Sequence, residues 1–96
     1  MNYKPNPIDV SDVKLPQELI DLADKISENC HEVWAKGRES QGWKFGPVRD
    51  DAKKEHPCMV PYSQLSEEEK SYDLNTSFET LKLVVKLGYE IKKIGE

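Results

Sequence analysis

The chain has 96 residues, 36% of them hydrophobic and 33% charged, which implies one domain with a thin core and no separate catalytic domain. Eighteen acidic against 14 basic residues give a net charge of −4, so phosphate backbones and anionic lipid gain no general attraction, and neither nucleic acid nor membrane is expected as a partner. Met1 to Pro7 lacks the apolar stretch of a secretory leader, no run approaches the ~20 apolar residues of a membrane span, and Cys30 and Cys58 read as reduced thiols, so the expected location is the cytoplasm.

Residues 1 to 14, with their prolines, asparagines and Ser-Asp pair, read as an extended arm anchored by Tyr3, Ile8 and Val10. From Pro16, suited to a first helical position, Leu15, Leu19, Leu22, Ala23, Ile26, Cys30, Val33, Trp34 and Gly37 recur mostly at three- and four-residue steps. This predicts a helix from 16 to about 37, stopped by Gly37 or Gly42 and with Cys30 in the core. Trp43 to Val48 alternates into a Gly-Pro turn and predicts a short strand or extended arm. The charged connection Arg49 to His56 leads to Pro57 to Tyr62, which its prolines restrict to an edge strand or a rigid extended piece.

Ser66 with Glu69 has capping-box spacing and predicts a short helix; Thr76 to Glu79 repeats the device. Phe78, Leu81, Val84, Val85 and Leu87 then form a second amphipathic helix stopped by Gly88. Tyr89 to Ile91 is a candidate final strand, and 92 to 96 read as a frayed tail. The predicted fold class is α+β: two antiparallel amphipathic helices joined by a long connection, with short strands alongside.

Little in the chain suggests catalysis. Cys30-His31 and the His56-x-Cys58 pair lack the spacing of a zinc site, so no metal is expected. The adjacent carboxylates Asp50 and Asp51 read as solvated loop charge, and phosphate-cradling, dinucleotide and nucleophile-elbow motifs are missing; no catalytic residue and no cofactor are expected. Aromatic and basic chemistry converge in one place, Gln41 to Lys54. There Trp43, with Phe45 beside it, can stack on a flat heteroaromatic ring; Arg49, oriented by Asp50, and Lys53 or Lys54 can hold an attached anion, and His56 adjoins them. The competing reading has Trp43 and Phe45 filling the gap between the helices, with Arg49 paired to a nearby carboxylate.

The runs Asn29-Cys30-His31-Glu32-Val33-Trp34, Gln41-Gly42-Trp43-Lys44-Phe45-Gly46-Pro47-Val48-Arg49-Asp50-Asp51, Lys54 to Val60 and Leu65 to Lys70 closely resemble the RyR repeat domain of ryanodine receptors, from about Tyr3 to Ile91. Such repeats occur in tandem in the calcium-release channels and singly in bacterial and phage proteins; this chain resembles the single-copy type. The resemblance implies two antiparallel helices with a long connection and short strands. It also implies a recognition module whose paired form offers a cleft to adenine nucleotides, with the residue matching Trp43 stacked on the base. The expected ligand is therefore a purine nucleotide or derivative held by Trp43, Phe45, Arg49, Asp50, Lys53, Lys54 and His56, with a homodimer recreating the cleft. The alternative is a protein–protein interaction domain without a small-molecule ligand.

Overall fold

The computed structural model describes residues 2–95, so Met1 of the arm and Glu96 of the tail lie outside the described residues. In chain order the elements are α1 (Gln17–Ser40), β1 (Lys44–Phe45), β2 (Glu55–His56), a 3₁₀ turn (Tyr62–Gln64) and α2 (Glu67–Lys86). The two helices pack on each other and a two-stranded sheet lies alongside, an α+β arrangement. No described helix is long and apolar enough to cross a membrane.

Helix α1 begins where expected. Pro16 keeps an extended backbone while its carbonyl accepts from the amides of Leu19 and Ile20. The helix then runs past Gly37 to Ser40, and Gly42, at φ +92°, supplies the left-handed residue that stops it. Its buried edge is the four-residue series Leu19, Ala23, Ser27, His31. Cys30 is exposed and Val33 is 63% exposed, so the predicted burial of Cys30 is corrected. The apolar stripe is wider than the contact, and α2 settles on the edge where small Ser27 permits close approach.

Burying two serines between helices requires their hydroxyls to be paired. Ser27 Oγ reaches the Ala23 carbonyl at 2.8 Å and Ser77 Oγ at 3.1 Å, while Ser77 Oγ donates to the Asp73 carbonyl at 2.9 Å. Helix α2 starts at the predicted cap, where Ser66 Oγ accepts from the Glu69 amide at 3.2 Å. It continues without a break through the second predicted cap: Ser77 and Thr80 bond back to carbonyls four residues earlier, as mid-helix hydroxyls do. A capping sequence followed by good helix formers need not cap when an earlier cap has already nucleated the helix. Gly88, at φ +97°, ends it, with its amide on the Val85 carbonyl and that of Tyr89 on Val84.

Other expectations are corrected. Tyr89 to Ile91 forms no strand, and β2 lies just before the proline-bracketed segment rather than in it. Strand β1 is confined to Lys44–Phe45 and pairs in parallel with Glu55–His56, the intervening loop closing on itself through an antiparallel Asp50–Glu55 bridge. Of the three arm anchors, only Val10 is buried; Tyr3 and Ile8 are exposed. The arm is held near the end of α2 by the ion pair of Asp12 with Lys86 Nζ at 2.9 Å. With so few apolar side chains buried, the chain is broad and thin, 45 × 45 × 23 Å.

Candidate functional site

The end of α1 fixes the position of both tryptophans. The Gly42 amide bonds to the Glu39 carbonyl at 2.9 Å and the Trp43 amide to Arg38 at 3.0 Å, a paired helix-end motif in which the residue after the glycine usually packs against the third residue from the end. Here that contact is a cation–π pair, with the Arg38 guanidinium 4.8 Å from the Trp43 ring centroid. Trp43 is thereby tucked inward and is 9% exposed. Of the two positions considered for it, the interior one is occupied.

Trp34, one helical turn before Arg38, takes the outer position. Its ring stacks on His31 at 5.5 Å, meets the edge of His56 at 5.1 Å and lies 5.7 Å from the Arg38 guanidinium. His31 is buried and its Nε2 donates to the Val60 carbonyl at 2.7 Å, which ties α1 to the chain before the 3₁₀ turn. His56 continues the series of rings toward Trp43 at 6.3 Å. Its Nδ1 accepts from the Cys58 amide at 3.0 Å, so the neutral ring carries its proton on Nε2.

Between these rings and α2 lies an open cleft of about 280 Å³. Trp34, His31 and His56 line one side with Cys58; Leu65, Glu69, Tyr72 and Asp73 line the other. Carboxylates and aromatic rings thus share one cavity. Burial, followed by Arg49 and Arg38, holds the His56 imidazole below its ordinary value, and burial followed by the Glu69 carboxylate pushes the Cys58 thiol up. Neutral forms of both groups are favoured.

The predicted ligand residues separate. His56 lines the cleft, whereas Phe45 stands out from β1, 56% exposed. Arg49 pairs through Nε with Asp51 at 2.9 Å, not with Asp50, whose carboxylate instead accepts from the Lys53 amide at 3.1 Å to shape the loop. Orientation of Arg49 by Asp50 is corrected accordingly: the loop turns back between the two, directing Asp50 to its own backbone. Lys54 takes a left-handed conformation, φ +57°, and its Nζ donates to the Gln41 carbonyl at 2.7 Å. Lys53 is exposed. Among the described residues, no group of three or more His, Cys, Asp and Glu is placed to hold a metal ion.

A family model described as RyR domain matches residues 3–93, nearly the whole chain. The chain belongs to the RyR domain family. Within this RyR domain, the sequence alone assigns no site role to Trp34, Glu69 or Asp73 and leaves Tyr72 undecided between a site and the core. Trp34 reads as part of the apolar stripe of α1, and Glu69 as helix N-terminal charge. The usable signal was spacing: Glu69, Tyr72 and Asp73 stand at three- and four-residue steps on one helix face, and His31 and Trp34 at a three-residue step on the other.

Proposed function

We propose that this RyR domain is a non-catalytic recognition module that takes the base of a purine nucleotide, or a related derivative, in the cleft between α1 and α2. The observation that carries this reading is the pairing of Trp34 and Tyr72 with two carboxylates in one cavity. Aromatic surface suits a flat heterocycle, and Glu69 and Asp73 can accept from its amino and ring N–H groups. At about 280 Å³ the cleft falls just below the ~300–1,000 Å³ usual for small-molecule sites, enough for a base with its sugar and phosphates outside. The stacking role assigned to Trp43 passes to Trp34, because a ring tucked under Arg38 offers a ligand little surface. Free Cys30 and Cys58 fit a reducing, cytoplasmic setting.

Titration with ATP and with ADP-ribose, followed by tryptophan fluorescence and calorimetry, tests the proposal. Saturable binding is expected, lost in Trp34→Ala and weakened but not lost in Trp43→Phe. The absence of both heat and a fluorescence change at millimolar ligand would refute it.

A second reading rests on a different observation. Val33, Phe45, Val48, Tyr72 and Leu87 are large apolar side chains left more than half exposed on a thin molecule, and such surface favours a partner protein or a second copy of the chain. Light scattering across a concentration range decides it: a homodimer weakened by Phe45→Ser, with no nucleotide dependence, favours the interaction role.

A further inference from the structure

We infer that Arg38 is the anion anchor of the cleft, binding the phosphate or other anionic group of the ligand, and that Trp43 is the residue that positions it. This rests on the base-recognition reading above, to which it adds the charge of the ligand and the residue that meets it.

The inference comes from where the cations of the site are spent. Arg49 is committed to Asp51, and Lys54 to the Gln41 carbonyl. Arg38 is different: among the described residues its guanidinium makes no ion pair within 4 Å and no side-chain hydrogen bond, its charge reaching the Asp51 carboxylate only from a distance, and it is half-buried. It is held between two indoles, 4.8 Å from the Trp43 centroid and 5.7 Å from that of Trp34. A guanidinium lying on aromatic faces keeps its edge N–H groups available, and it arrives ordered, so little side-chain entropy is lost when a bidentate anion binds.

The backbone explains why the arrangement is rigid. Arg38 and Trp43 are the two residues that the helix-end motif at Gly42 brings together, and the Trp43 amide bonds to the Arg38 carbonyl itself. The indole that sequence reasoning placed on the ligand therefore acts one step back, as the platform for the arginine. Arg38 stands just outside the residues that line the cleft but lies 5.7 Å from the Trp34 ring on its wall, so the sugar-linked anion of a base against Trp34 has this guanidinium as a neighbouring cation.

Calorimetry with ATP and with uncharged adenosine on the wild type, Arg38→Gln, Arg38→Lys and Trp43→Phe tests this, together with arginine Nε–Hε NMR during titration with tripolyphosphate alone. Arg38→Gln is expected to weaken ATP by about 10- to 100-fold, the loss of one charge-assisted bidentate contact, while adenosine stays within about twofold. Arg38→Lys recovers part of the ATP affinity. Trp43→Phe, checked for folding by circular dichroism, loses some ATP affinity and leaves adenosine unchanged. Tripolyphosphate is expected to move the Arg38 resonance ahead of that of Arg49. ATP affinity equal in Arg38→Gln and wild type, or an Arg38 resonance unmoved by millimolar tripolyphosphate, overturns the inference. The two proposals fail separately: tripolyphosphate at Arg38 without any nucleotide binding removes the base reading and keeps the anchor, and ATP bound as tightly by Arg38→Gln does the reverse.

Discussion

The hydroxyls of Ser27 and Ser77 lie 3.1 Å apart at the contact between α1 and α2, and both residues are buried. The helices meet there through small polar groups rather than through large apolar ones. Ser27→Ala removes the contacts of its hydroxyl with the Ala23 carbonyl and Ser77 Oγ but leaves Ser77 donating to Asp73, so a loss of about 0.5–1.5 kcal/mol is expected. Ser27→Leu, the residue an apolar stripe would favour, forces the helices apart and is expected to cost about 1–3 kcal/mol. Urea denaturation midpoints check the order; a leucine variant as stable as wild type contradicts the packing.

Gly46 lies against β2, where an added Cβ would overlap the Cβ of Glu55. Gly46→Ala is expected to destabilise the strand pair by about 1–3 kcal/mol, and adding Glu55→Ala will not rescue it, because the overlap is with an atom alanine retains. Gly88→Ala has open space around it and pays only for the left-handed backbone, about 1–2 kcal/mol. Rescue of Gly46→Ala by the shortened Glu55 would show that the strands are less closely set.

Helix α1, the Ser66 cap, the second half of α2 and the stop at Gly88 were legible in the sequence, because periodicity and capping chemistry act over three or four residues, whereas the continuity of α2 through Thr76 was not. What was not legible depended on contacts between distant segments. Trp34 and Trp43 have equal claims as apolar aromatics; only the turn at Gly42, which carries Trp43 back under Arg38, decides which ring faces inward. Likewise, nothing local distinguishes Ser27 from an exposed serine until Ser77, 50 residues on, packs against it. The cleft shares this origin, since its two walls come from residues 31 to 34 and 69 to 73 and close only through tertiary packing.

The pH dependence of stability should carry the signature of His56. Burial first, then Arg49 and Arg38, keep its folded value below the ordinary 6.5. The unfolded chain therefore binds the proton at higher pH than the folded one, and stability falls as pH drops from 6.5 toward the folded value, then levels off. Asp9, Asp12 and Asp51, lowered from 3.8 chiefly by their side-chain hydrogen bonds, act in a separate window below that value. Comparing wild type with His56→Gln just below pH 6.5, within the His56 window, is expected to show the added slope in the former only; an NMR titration placing His56 above 6.5 contradicts it.

The two thiols should differ in reactivity. Cys30 is exposed on α1, while Cys58 is half-buried in the cleft with its thiol pushed up by burial and Glu69. At mildly alkaline pH, iodoacetamide is expected to modify Cys30 first, with ligand in the cleft slowing Cys58 further. Timed mass spectrometry reads the order, and faster labelling of Cys58 contradicts the geometry of that wall.

The division of labour between the tryptophans is tested most directly by following their indole N–H resonances, assigned with Trp34→Phe, while ATP is added to nitrogen-15-labelled protein. The Trp34 signal is expected to move and saturate, with a smaller shift at Trp43 transmitted through Arg38. Movement of Trp43 alone, or stillness of both at millimolar ATP, contradicts the assignment of the ligand to the Trp34 cleft.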